Sequence, residues 1–222
     1  SESQMELALG FCPVFAFPRT KPVDFSKILL AKEQNLVAKI DDLNMLRTNV
    51  ISSLQLGDAD SLIKSINLYL APLFQMKVWL DIKDGPLVLK ATLAFTWTSA
   101  CDKKPGKQEY VMFNWNFEMA MVLSTLAYAQ CLKASKIYES IKSDDVFEAR
   151  AKEVAALHRS AAGIFDFIAD RVLPVPGSMP FTRAPEILPD MQRALSFICR
   201  CAAQEVCLRQ AMRRSLSPTL VG

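Results

Sequence analysis

Between Asp144 and Leu173 the apolar residues Val146, Val154, Leu157, Ala161, Ile164, Ile168 and Val172 recur at steps of three and four. That spacing puts them on one stripe of an α-helix facing a core. Asp145, followed three residues later by Glu148, resembles a capping box, and acids suit the positive end of the helix. The other side carries Glu148, Lys152, Ala155, Ala156, Arg159 and Gly163. This small and polar surface lets a neighbouring helix or an incoming peptide come close. The pattern predicts a long helix serving as a central layer of a helical stack, with its second face left for function.

The same periodicity predicts further helices. Leu36, Ile40, Leu43, Leu46, Val50 and Leu54 mark one from Lys32 to about Gln55, broken by Gly57-Asp58. Asp58 or Asp60 can cap the next, whose stripe includes Leu62, Ile66, Leu70 and Phe74. Pro72 is expected to kink or divide that helix. A helix from Asn114 or Asn116 to about Ile141 precedes the 144–173 helix. After a Pro-rich stretch from Pro174 to Pro189, a last helix runs to about Met212. Strands are predicted near 12–18, 88–97 and 109–113, with Pro105-Gly106 as the turn between the latter two. The first is an edge strand or extended arm, because proline cannot donate to a ladder.

Composition narrows the class without naming a function. The chain has 222 residues, half of them apolar, with 7 Gly and 22% charged residues, which fits one ordinary folded domain over 1–222. A net charge of +3 is too small and too mixed to argue for nucleic acid. The six cysteines form no secretory framework, so reduced thiols in a cytoplasmic protein are expected. No apolar run reaches membrane-spanning length.

Candidate chemistry is sparse. Ile198, Cys201, Glu205, Leu208 and Met212 share a stripe of the last helix, so Glu205 is expected among apolar neighbours. There it could act as an acid or base, although a structural ion pair is the commoner role. Arg200, Ala203, Gln204, Cys207 and Ala211 form a second small and polar face. His158 is the single histidine and reads as a satisfied helix residue. Cys199 and Cys201 point their sulfurs about 200° apart on a helix and cannot readily share a metal. Without a C-x-x-C pair or a Gly-rich phosphate loop, no catalytic residue, cofactor or metal site is expected.

Leu93-Ala-Phe-Thr-Trp97, Ala151-Lys-Glu-Val154, Ala161-Ala-Gly-Ile-Phe165 and Ala202-Ala-Gln-Glu-Val206 occur in this order. Together they resemble the first part of a Bro1 domain, the module of ALIX-type ESCRT adaptors, with most similarity to the BROX type. The resemblance runs from about Phe15 to the C-terminus. It implies a mainly α, elongated and curved array of TPR-like helix hairpins with a small antiparallel sheet. It also implies a non-enzymatic adaptor in endosomal sorting, whose concave surface takes the C-terminal amphipathic helix of an ESCRT-III core subunit.

Carried over residue by residue, an acidic groove position falls on Glu148, a basic one on Lys152 and apolar ones on Cys207 and Leu220. Cys207 departs from the ALIX pattern, where the residue is aromatic. Bro1 domains run to well over three hundred residues, so the resemblance implies that the chain holds only the N-terminal part. It further implies peripheral association with endosomal membranes. Self-association through an uncovered C-terminal end is the matching expectation. Two other classes stay open: a helical scaffold that dimerises or binds other partners through that end, and an enzyme in which Glu205 and His158 meet in a pocket.

Overall fold

The computed structural model describes residues 12–141, 143–173 and 183–215. Its elements are α1 (Phe25–Ile28), β1 (Leu29–Ala31), α2 (Gln34–Leu56), α3 (Ala59–Asp81), β2 (Leu87–Leu89), β3 (Phe95–Thr98), β4 (Glu109–Met112), α4 (Trp115–Glu139), α5 (Asp144–Phe167) and α6 (Pro189–Ser215). A π-helical turn, Ile168–Val172, extends α5, and a 3-10 turn, Pro185–Ile187, precedes α6. The fold is mainly helical, and each long helix packs on the next: α2 on α3, α3 on α4, α4 on α5 and α5 on α6.

Local chemistry sets the helix ends. Gly57 closes α2 with φ 67°, a left-handed conformation that glycine adopts without steric cost. The Asp58 carboxylate then accepts from the Ser61 amide at 2.8 Å and caps α3. Asn114 caps α4 in the same way through Phe117. Pro72 sits inside α3, which continues through it rather than dividing there. At α5 the cap is Ser143, whose hydroxyl accepts from the Val146 amide at 3.4 Å. The expected capping box at Asp145 and Glu148 is thus displaced by two residues. The apolar stripe changes only at its first member: Val146 is exposed and Phe147 is buried in its place against the edge of Tyr138, while Val154, Ala161, Ile168 and Val172 are buried as the spacing predicts.

The most buried helix is α4 rather than α5. From Trp115 to Ala129 it is inaccessible on nearly every side, the mark of a helix inside a stack. At its start Glu118 is fully buried and paired with the equally buried Arg47 of α2 at 2.8 Å. Tyr69 of α3 and the Trp97 indole of β3 also donate to this carboxylate, at 3.1 and 2.6 Å. Arg47 in turn donates to the Lys21 carbonyl and the Thr20 hydroxyl. One buried polar network therefore ties the N-terminal segment, α2, α3, β3 and α4 together.

Two expectations for the strands need correction. The 88–97 run is not one strand: β2 pairs antiparallel with β1, whereas β3 pairs antiparallel with β4. The chain bends at Lys90 and Ala91 as it leaves one partner for the other, giving two two-stranded sheets. Residues 12–18 form no strand. Pro13 and Pro18 lack amide donors, and pairing with β3 begins just beyond them in a single bridge, Thr20 to Trp97. Before that bridge the segment is an extended arm whose Phe15 lies 4.8 Å from the Tyr128 ring.

Candidate functional site

Helices α5 and α6 pack antiparallel, a register marked by pairs along their length. Arg193 bonds Asp170, Arg200 bonds Asp166, and the Gln210 side chain reaches the Glu148 carbonyl at 3.5 Å. The seam beside Glu148 is made of Ala151, Val154, Ala155, Ala203 and Val206, all buried in one small cluster. Such short side chains let the two backbones approach closely. Ala155 and Ala203, expected on the polar faces, are consumed by this seam. The position after each helical step decides which small residue meets the partner helix.

What remains outside is a ridge on each helix. On α5 it comprises the exposed Lys152, Ala156, Arg159 and Gly163, with Glu148 half-buried at its start. On α6 it comprises the exposed Gln204, Cys207 and Ala211. Cys207 follows Val206, which packs in the cluster that holds Ala151 and Ala155. Glu148, Lys152 and Cys207 thus lie toward the same end of the α5–α6 pair. Leu220 lies outside the described residues.

The face is small in side-chain volume and mixed in charge. Ala156, Gly163, Cys207 and Ala211 leave room for a ligand helix to come close between the longer Lys152, Arg159 and Gln204. Arg150 pairs with Glu153 farther round α5, and Arg213 of α6 stacks over the Phe147 ring at 4.2 Å to its centre.

Glu205 does not project into an apolar core. It is half-buried and held by Arg209 of its own helix at 2.8 Å, and Arg209 also donates to the Tyr138 hydroxyl at 3.0 Å. The expected apolar stripe of α6 faces outward instead. Cys201 is exposed, as are Leu208 and Met212, and Phe197 extends the row. The residues that α6 buries are Leu195, Ser196, Cys199, Ala202, Ala203 and Val206.

His158 is the clearest departure from expectation. It is fully buried, and among the described residues neither ring nitrogen makes a well-formed hydrogen bond, although the ring lies close enough to act on the Cys199 thiol. Its neighbours are the buried thiols of Cys131 on α4 and Cys199 on α6, whose sulfurs lie 3.5 Å apart. The contact between the two thiols, opposed by burial and aided by the nearby imidazole, lowers the Cys199 pKa to about 6, and its partner Cys131 is pushed up. No local motif announces this grouping, because each residue comes from a different helix. Glu205 lies in a separate environment with Arg209, so the pairing of Glu205 with His158 in a pocket is not built here.

A family model described as the BRO1-like domain matches residues 26–222. No curated protein matches the chain significantly. Solved structures share its fold, three of them as follows. One, described as an ALIX BRO1 CHMP4C complex, has TM-score 0.70 and 20% identity over 96% of this chain and 59% of its own. A second, ALIX in complex with the SIVmac239 PYKEVTEDL late domain, has TM-score 0.70 and 18% identity over 95% of this chain and 30% of its own. The third concerns endosomal targeting by the Bro1 domain, with TM-score 0.67 and 19% identity over 94% of this chain and 54% of its own. The chain therefore spans less than two thirds of the length of each.

Proposed function

This chain belongs to the BRO1-like domain family, and on that premise we propose that it is a non-enzymatic, ESCRT-associated adaptor. Its ligand in this reading is the C-terminal amphipathic helix of an ESCRT-III core subunit, taken on the outer face of α5 and α6. The observation that carries the reading is the exposed ridge of small and polar side chains along two antiparallel helices, with Glu148, Lys152 and Cys207 toward one end. Small side chains let a ligand helix sit close, its apolar residues cover the groove, and Glu148 and Lys152 set its register. The neighbour that is an ALIX complex with CHMP4C lends this reading support by its fold. The A-K-E-V and A-A-G-I-F segments support placing the chain with the BROX type.

Cys207 offers less apolar area than an aromatic residue, so the contact there is weaker by ~1–2 kcal/mol at the usual area coefficient. Cys207→Asp puts a charge where an apolar side chain must dock and is expected to abolish binding of an ESCRT-III tail peptide. Calorimetry that returned unchanged affinity would remove the site. Among the described residues no helix is long and apolar enough to cross a membrane. Cytoplasmic residence with peripheral recruitment to endosomal membranes follows as part of the same reading. The neighbour concerned with endosomal targeting supports it through fold alone.

A second reading rests on a separate observation: Phe197, Leu208 and Met212 form an exposed apolar row on α6, 67%, 60% and 46% accessible. Such a row suits self-association or another protein partner. Light scattering decides for self-association if the mass rises with concentration, and a monomer at every concentration decides against it.

A further inference from the structure

Three consecutive long helices each send one metal-binding side chain to the same buried point. Cys131 comes from α4, His158 from α5 and Cys199 from α6, and all three residues are 0% exposed. One ligand atom from each lies within 4.8 Å of the other two, and the two sulfurs are 3.5 Å apart. Zinc held at about 2.3 Å by sulfur and about 2.0 Å by nitrogen would set sulfurs about 3.8 Å apart at tetrahedral angles. The observed sulfur separation is within a few tenths of an ångström of that figure. Because the three ligand atoms lie within 4.8 Å of one another, the imidazole would need to shift by no more than ~1 Å to share an ion with the sulfurs.

A second observation points the same way. A buried imidazole must satisfy its nitrogens or bear a cost of roughly 1–3 kcal/mol for each one left alone. Among the described residues neither His158 nitrogen makes a well-formed hydrogen bond. A buried ring without a well-formed hydrogen bond, whose close polar neighbours are two thiols, has the surroundings of a ligand rather than those of a structural core residue. Soft thiolates with an imidazole select thiophilic ions over hard ones such as magnesium or calcium.

We propose that Cys131, His158 and Cys199 form a binding site for one thiophilic d10 metal ion, of the Zn2+ or Cu+ kind, that clips α4, α5 and α6 together. Three donors fill a trigonal cuprous shell, or three of the four positions around zinc. The site lies under the α5–α6 face but makes no use of its exposed ridge, so it stands apart from peptide binding. Its effect is structural: the ion fixes the spacing of the two helices that carry that ridge.

The test is a titration of the reduced, metal-free chain with Co2+ under anaerobic conditions, followed by displacement with Zn2+ and, separately, with Cu+. One Co2+ per chain is expected, with the near-ultraviolet band of thiolate-to-cobalt charge transfer and the visible bands of a low-coordinate ion. Zn2+ or Cu+ should erase these bands and raise the Tm of the wild-type chain, and the stronger displacer identifies the ion. Cys131→Ala, Cys199→Ser and His158→Gln should each lose the saturable signal while keeping helical circular dichroism. If one variant fails to fold, the other two decide. Cys201→Ser with Cys207→Ser removes the exposed thiols and should leave uptake intact. Failure of the reduced, metal-free wild-type chain to take up Co2+, Zn2+ or Cu+, each added alone, overturns the proposal. So does uptake that survives in the site variants and vanishes with the exposed thiols.

Discussion

Around Glu118 both carboxylate oxygens are engaged: Arg47 and Tyr69 donate to one, and the Trp97 indole and Arg47 to the other. Around His158, on the adjoining helix, the polar atoms are just as deeply buried but the ring nitrogens have no such donors or acceptors among the described residues. The first arrangement is a completed network that fixes how α2, α3, α4 and β3 meet. The second is a set in which the two thiols meet each other at 3.5 Å while the imidazole nitrogens make no well-formed hydrogen bond, which is tolerable only where something further binds or where the rest of the fold carries the cost. The difference teaches that burial alone says little about a polar residue's role. What matters is whether its hydrogen-bonding capacity is used.

The largest effect should come from making the first region like the second. Glu118→Ala leaves the Arg47 guanidinium buried without its carboxylate and is expected to cost about 3–5 kcal/mol. In a chain of this length that lowers Tm by on the order of 10 °C. A loss below about 1 kcal/mol in denaturant unfolding would mean that the network is not the lock described here. The converse change is smaller. In metal-free protein, His158→Leu removes two unsatisfied nitrogens for a side chain of similar volume and should alter stability by less than about 1.5 kcal/mol. A cost as large as that of Glu118→Ala would show that the imidazole has partners it is not credited with.

Glu186 lies between the two cases and sharpens the contrast through pH. One oxygen accepts from the Ala100 amide at 2.7 Å, while the other has no partner among the described residues. Burial raises its pKa above the ordinary value of 4.5, against the lowering effect of its hydrogen bonds. A carboxyl whose folded pKa is raised binds its proton more tightly in the fold. Its stabilisation is complete below the unfolded value and is lost as pH rises through the folded one. Glu186→Gln should remove that part of the slope, making the stability profile flatter on the alkaline side of pH 4.5. Superimposable profiles for the two proteins would contradict the assignment.

The α5–α6 face was legible in part. The spacing of Glu148, Lys152 and Gly163 placed them outward, because a helix's own period sorts its residues into faces. It could not say where the partner helix would cut across those faces, so Ala155 and Ala203 were misassigned to the surface. The α6 stripe failed for the same reason. Phe197, Leu208 and Met212 have helical spacing, yet the apolar row that meets the core is the one containing Leu195, Cys199 and Val206. Two apolar rows on one helix are equivalent until a neighbour chooses between them.

By itself the sequence determined the helical class, most helix boundaries, the Gly57 and Asp58 signals and the turn at Gly106. Each follows from interactions within a few residues, where propensity, capping and periodicity act. Only the tertiary structure decided that α4 is the innermost helix, that the 88–97 run serves two different strand partners, and that prolines confine arm pairing to Thr20. It alone joined Arg47 to Glu118 and brought Cys131, His158 and Cys199 to one point. Those meetings link residues far apart in the chain. Their geometry is set by how whole helices pack, which no local pattern encodes.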